Sequence, residues 1–180
     1  VPATLCAGQG ELGVLLLHGV GGGKAIWGPQ GSDTVARLAA AGFHAVAVDF
    51  PGYGEAADQG PPTLASMVHA ARAVIDHGPS RRWVVLGHSM GGMVAQALLA
   101  RSAAGVAGLV LACTSAAFGK PEGAWQAQFL AERLAPLDAG LGMAAMAGQL
   151  VPGLLSPQAP SRAREAATAV MAAVAEATYR

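Results

Sequence analysis

Four short apolar runs constrain this chain more than anything else in it. They lie at residues 13–17, 43–50, 83–86 and 108–112. Each run is continuous rather than alternating, the pattern of a strand buried on both faces of a parallel sheet. Segments of helical spacing separate the runs. Residues 32–41 place Val35, Leu38 and Ala39 on one face, with Ser32 or Asp33 as cap and Gly42 as stop. Residues 63–77 start on a Thr63 cap, and residues 90–101 read as a third helix. Strand and helix in alternation predict right-handed crossovers and an α/β fold, a mostly parallel sheet with helices on both faces.

The texture changes after residue 114. Residues 123–134, 141–151 and 161–179 read as successive helices, punctuated by Pro121, Pro136, Pro152, Pro157 and Pro160. The expected organisation is therefore a core over residues 1–114 and a helical cap over residues 115–180, laid across the strand ends. A chain of 180 residues buries roughly 70% of its unfolded surface, enough for a substantial core.

Composition excludes several roles. Formal net charge is zero and no basic stripe is present, so a nucleic-acid partner is not expected. No uninterrupted apolar run reaches the roughly 18 residues of a membrane span. The opening VPATLCAGQGE lacks the basic and long apolar regions of a signal peptide, which points to the cytoplasm. It also lacks an initiator Met, so residues removed ahead of Val1 are part of the expectation. Cys6 and Cys113 are expected as small buried or half-buried thiols, and no Cys/His spacing suits zinc.

The chemistry centres on Gly87-His88-Ser89-Met90-Gly91, which fits G-x-S-x-G between a strand and a helix. A sharp turn there lifts the Ser89 hydroxyl above the sheet and leaves room only for small residues two positions either side. Gly87 and Gly91 meet that demand, and Gly92 lets the helix pack closely on the sheet. The helix N-terminus favours developing negative charge. Ser89 is the candidate nucleophile; the bland alternative is a glycine-rich turn with a capping serine. A second element, Leu17-His18-Gly19-Val20-Gly21-Gly22-Gly23, ends a strand in a glycine loop. Acyl transfer needs two N–H donors aimed at an oxyanion. Met90 and Val20 are the candidates for those backbone donors, with His18 orienting the loop. A phosphate cradle is disfavoured, because Lys24 follows the glycines without the Ser or Thr of a P-loop. In the third element, Val48-Asp49-Phe50-Pro51-Gly52-Tyr53-Gly54, Asp49 is read as bracing the turn.

Taken together and in this order, "LLLHGVGGG", "VDFPGYGEA" and "GHSMGG" resemble the α/β-hydrolase family, and "GLVLACT" resembles the strand after the elbow helix. Gly123-Ala124-Trp125-Gln126 is similar to the cap of the 3-oxoadipate enol-lactonase and carboxylesterase branch. The resemblance implies a serine hydrolase acting on a small carboxylic ester or lactone, without metal or organic cofactor. His88, Trp27, Trp125 and Phe129 are the candidate substrate-pocket side chains.

The resemblance also implies a triad in chain order Ser, acid, His. Here His18, His44, His69, His77 and His88 all precede Ser89, and the first carboxylate after "GLVLACT" is Glu122, well into the cap. His88 is the elbow's neighbour, and its side chain is expected to point away from the nucleophile. The family's last strands, with their acid and histidine, are expected from a C-terminal segment or second chain. Losing triad members typically lowers kcat by about 10⁴- to 10⁶-fold, so these residues alone are expected to be nearly inactive. Without those strands, residues 108–112 form an exposed apolar edge. The alternatives are a non-catalytic homologue that binds a small molecule and an inactive fragment.

Overall fold

The apolar runs become the strands of one sheet in the computed structural model, which describes residues 2–29, 31–119 and 124–180. The strands are β1 (Thr4–Ala7), β2 (Leu12–Leu17), β3 (His44–Val48), β4 (Arg82–His88) and β5 (Val106–Ala112), in spatial order β1-β3-β2-β4-β5. All pairings are parallel except β1 with β3. The helices between them are α1 (Thr34–Ala40), α2 (Leu64–His77) and α3 (Met90–Arg101).

Alternate residues of the central strands feed two cores. Leu15, Leu17, Val46, Val48 and Val85 face α2 and α3, whereas Val14, Leu16, Ala45 and Ala47 face α1. Leu15, Leu16 and Leu17 are fully buried, and each buried side chain of this kind contributes about 2 kcal/mol. Thr63 caps α2 as expected, in a reciprocal box with Ser66.

The cap-like segment forms α4 (Ala124–Asp138), α5 (Gly142–Leu154), α6 (Ser161–Ala172) and α7 (Glu176–Tyr179). Leu137, Met143, Met146, Val151, Met171 and Val174 join the same buried cluster as Phe50 and Tyr53 at the ends of the strands. Glu122 and Gly123, the latter the expected start of the first cap helix, lie outside the described residues.

Two expectations are corrected. Cys6 and Cys113 are both exposed. Cys6 lies on the four-residue edge strand β1, and Cys113 follows the edge strand β5, so neither reaches a covered face. The single helix expected over residues 161–179 divides into α6 and α7, with Val174 of the intervening segment buried.

β5 is an edge as anticipated. Leu109, Val110 and Leu111 are 36%, 43% and 45% exposed, so side chains on both of its faces are partly exposed, although Val106 packs against the main core. Among the described residues, no helix is long and apolar enough to cross a membrane.

Candidate active site

The strand-to-helix turn at Ser89 is as tight as its glycines allow. Ser89 has φ 53° and ψ −120°, a conformation side-chain-bearing residues rarely adopt. A Cβ on Gly87 would lie 2.5 Å from the Gly92 Cα, and one on Gly91 would lie 2.6 Å from the Leu17 carbonyl carbon. Helix α3 therefore approaches the sheet at a distance only glycine permits. The strained residue is held from outside the turn. Its N–H donates to the Ala112 carbonyl (2.9 Å), and its own carbonyl accepts from the Thr114 hydroxyl (2.7 Å). Thr114 was not singled out from sequence; its place at the end of the "GLVLACT" stretch, two residues past β5, is the signal it carried.

The glycine loop sits against this turn. A Cβ on Gly19 would lie 3.2 Å from the Ser89 Cβ and 3.2 Å from the His88 Nδ1. The Gly22 N–H donates to the Gly19 carbonyl (3.0 Å), which makes Val20 and Gly21 the central residues of a β-turn. Met90 is the first residue of α3, where backbone N–H groups lack an intrahelical acceptor. Among the described residues, neither the Val20 nor the Met90 N–H donates to a protein acceptor. Two unengaged donors thus lie on the two segments that meet at Ser89.

His18 is fully buried beneath this loop. Its Nε2 accepts from the Phe50 N–H (3.2 Å), so its Nδ1 carries the proton and donates to the Gly19 carbonyl (2.8 Å). Burial lowers its pKa to about 4, against opposing contributions from the Gly19 bond and from Asp49. With both nitrogens engaged, the ring is a neutral strut between loop and turn. His88 is exposed, and partial desolvation of its ring lowers its pKa as well.

Asp49, 2% exposed, accepts from the backbone N–H groups of Lys24 (2.7 Å) and Glu55 (3.1 Å). It therefore joins the two loops flanking the site rather than bracing one turn alone. The cap reaches the same loops. The Met171 side chain lies against Gly21, where a Cβ would be 3.2 Å from its Cε, and the Thr178 hydroxyl donates to the Gly52 carbonyl (2.7 Å).

The structure thus gathers Ser89, Met90, Val20 and His88 at one place. Trp27 packs instead against the α1-side core, its indole N–H buried without an acceptor among the described residues. Trp125 and Phe129 join Phe118 in a cluster with ring centroids 5.1–5.3 Å apart. The Arg133 guanidinium lies over the Phe129 ring, and Trp125 is 52% exposed. Among the described residues, no group of three or more His, Cys, Asp or Glu is placed to hold a metal.

Residues 14–179 match the sequence profile of the alpha/beta hydrolase family. The chain belongs to that family. This alpha/beta hydrolase is 32% identical over 120 residues to the pimeloyl-[acyl-carrier protein] methyl ester esterase of Vibrio cholerae serotype O1, a match covering 67% of the chain and 43% of that protein. Among solved structures, an esterase from Exiguobacterium antarcticum superposes with a TM-score of 0.79 at 21% identity, over 98% of this chain and 65% of the other. A thermophilic esterase from Thermogutta terrifontis gives 0.74 at 27% identity, over 98% and 64%. This alpha/beta hydrolase therefore spans under half of that curated relative and just under two thirds of those structural neighbours.

Proposed function

We propose that this chain carries the nucleophile and oxyanion machinery of a serine ester hydrolase. The observation that carries the reading is Ser89, strained at the head of α3 with the turn bearing Val20 packed against it. The Ser89 Oγ attacks the carbonyl carbon of a carboxylic ester or lactone, and the carbonyl oxygen becomes an oxyanion held by the Val20 and Met90 N–H groups. The alkoxy group leaves with a proton, and water then hydrolyses the acyl-enzyme. The esterase names of the relatives support the same bond class.

The proton transfers need a base. His18 is buried and doubly hydrogen-bonded, and the remaining histidines all precede Ser89 in the chain. The proposed base and its acid are supplied by a C-terminal segment or second chain that also covers β5. The exposed apolar side chains and the free edge of β5 are what supports that part of the reading.

The test is labelling with a fluorophosphonate, followed by peptide mapping. Slow modification of Ser89 in the 180-residue chain, faster in a polypeptide that also carries the acid and base, and none in Ser89→Ala is the expected result. Turnover of a p-nitrophenyl ester by the 180-residue chain is expected about 10⁴-fold or more below that of a polypeptide that also carries the acid and base. Modification elsewhere, or undiminished labelling of Ser89→Ala, overturns the reading. Tight small-ligand binding without labelling favours the non-catalytic alternative.

A further inference from the structure

The oxyanion turn opens into three consecutive glycines, Gly21, Gly22 and Gly23, the backbone least inclined to hold one conformation. Its entry is fixed by strand β2 and by the Gly22 to Gly19 bond. Its exit depends on Lys24. The Lys24 N–H donates to the Asp49 Oδ1 (2.7 Å), and its ammonium donates to the Asp49 Oδ2 (2.6 Å) and pairs with the Glu55 Oε2 (2.8 Å). The approach is close: a Cβ on Gly23 would lie 3.1 Å from the Asp49 Oδ1. Asp49 is buried, and Lys24 supplies the charge that makes a buried carboxylate tolerable.

We propose that Lys24 is a positioning residue for the oxyanion turn: its ammonium, gripped by Asp49 and Glu55, locks the exit of the glycine loop and so fixes the aim of the Val20 N–H at Ser89. This rests on Ser89 being the nucleophile. Lys24 sits where a phosphate-binding lysine would follow a glycine run, but two carboxylates hold its ammonium. Burial alone would lower the Lys24 pKa; the hydrogen bonds to Asp49 and Glu55 outweigh it and raise it, so the grip is charged throughout the neutral range. Removing the ammonium leaves Asp49 as a buried carboxylate without its counter-charge, held only by the Lys24 and Glu55 N–H groups. Asp49 then draws in water, and the loop exit loosens.

The experiment compares wild type, Lys24→Met, Lys24→Arg and Glu55→Gln in the full chain. One readout is amide hydrogen exchange across Val20, Gly21, Gly22 and Gly23. The other is fluorophosphonate labelling of Ser89, resolved into reversible affinity and maximal rate. In Lys24→Met, exchange is expected to rise and the maximal labelling rate to fall, each about tenfold, less than the 10²- to 10³-fold lost on deleting an oxyanion donor. Reversible affinity changes by less than about twofold, because the oxyanion contact forms only as the oxyanion develops. Lys24→Arg restores most of both. Glu55→Gln, at a side chain 77% exposed, keeps the fold and gives a smaller rise in the same exchange. That arm decides the matter if Lys24→Met does not fold. Unchanged loop exchange in Lys24→Met, or in Glu55→Gln where it must stand alone, overturns the proposal. So does Lys24→Arg behaving like Lys24→Met. A wild type left unlabelled at Ser89 even after prolonged exposure and in the presence of the acid and base, with loop exchange that still responds to Lys24→Met, overturns the hydrolase reading and leaves the grip of Lys24 on the loop supported.

Discussion

His18 shows how a single side chain ties protonation to structure. Its native pKa near 4 lies below the unfolded value of 6.5. Between those values the unfolded chain binds more protons, so stability rises with pH across that window and is lost as pH falls through it. The full shift corresponds to roughly 3 kcal/mol. Urea unfolding of wild type is expected to weaken from pH 7 to pH 4, and His18→Asn, though less stable at pH 7, is expected to show a shallower acid slope. An imidazole signal of His18 titrating near 6.5 by NMR would contradict the burial argument. The role of this histidine was partly legible in advance, because a His-Gly pair at a strand end suggested a loop strut. The tautomer was not, since it is set by Phe50, 32 residues away.

Among the strands, β5 is the edge with the most exposed apolar side chains. An apolar parallel edge exposed on both faces is a template for pairing with another chain. The 180-residue chain is therefore expected to self-associate as its concentration rises, and Val110→Lys is expected to shift it toward monomer at unchanged far-UV circular dichroism. Light scattering after size exclusion decides this; equal association of both proteins removes β5 as the sticky element. The central strands were readable because burial on both faces writes an unbroken apolar run. β1 was not, being four residues long, antiparallel and at an edge. Pro136 and Pro152 looked like helix ends, and α4 and α5 run only two residues past them, so the lost N–H bond and the crowding at each proline fall close to the helix end. The break between α6 and α7 carries no glycine or proline; burial of Val174 and the Thr178 bond to Gly52 are tertiary effects.

The site as assembled draws on loops that are far apart in sequence. The elbow is local, so its pattern reveals it directly. The Lys24–Asp49 pair spans 25 residues, and Met171 meets Gly21 across most of the chain. Only the parallel topology, which delivers the ends of β2, β3 and β4 to one rim, brings such residues together. That topology also explains why the Ser89 N–H donates to Ala112, the last residue of β5, and the Ser89 carbonyl accepts from Thr114 just beyond it. Loosening of the β5 end is therefore expected to disturb the Ser89 turn. In a urea titration, labelling of Ser89 is expected to fade before helical circular dichroism does. Coincident midpoints would show that the edge and the elbow do not act as a separate latch. A substitution on β5 acts on a strand whose end is joined to Ser89 by two hydrogen bonds, so it is expected to be felt at the turn without lying beside it.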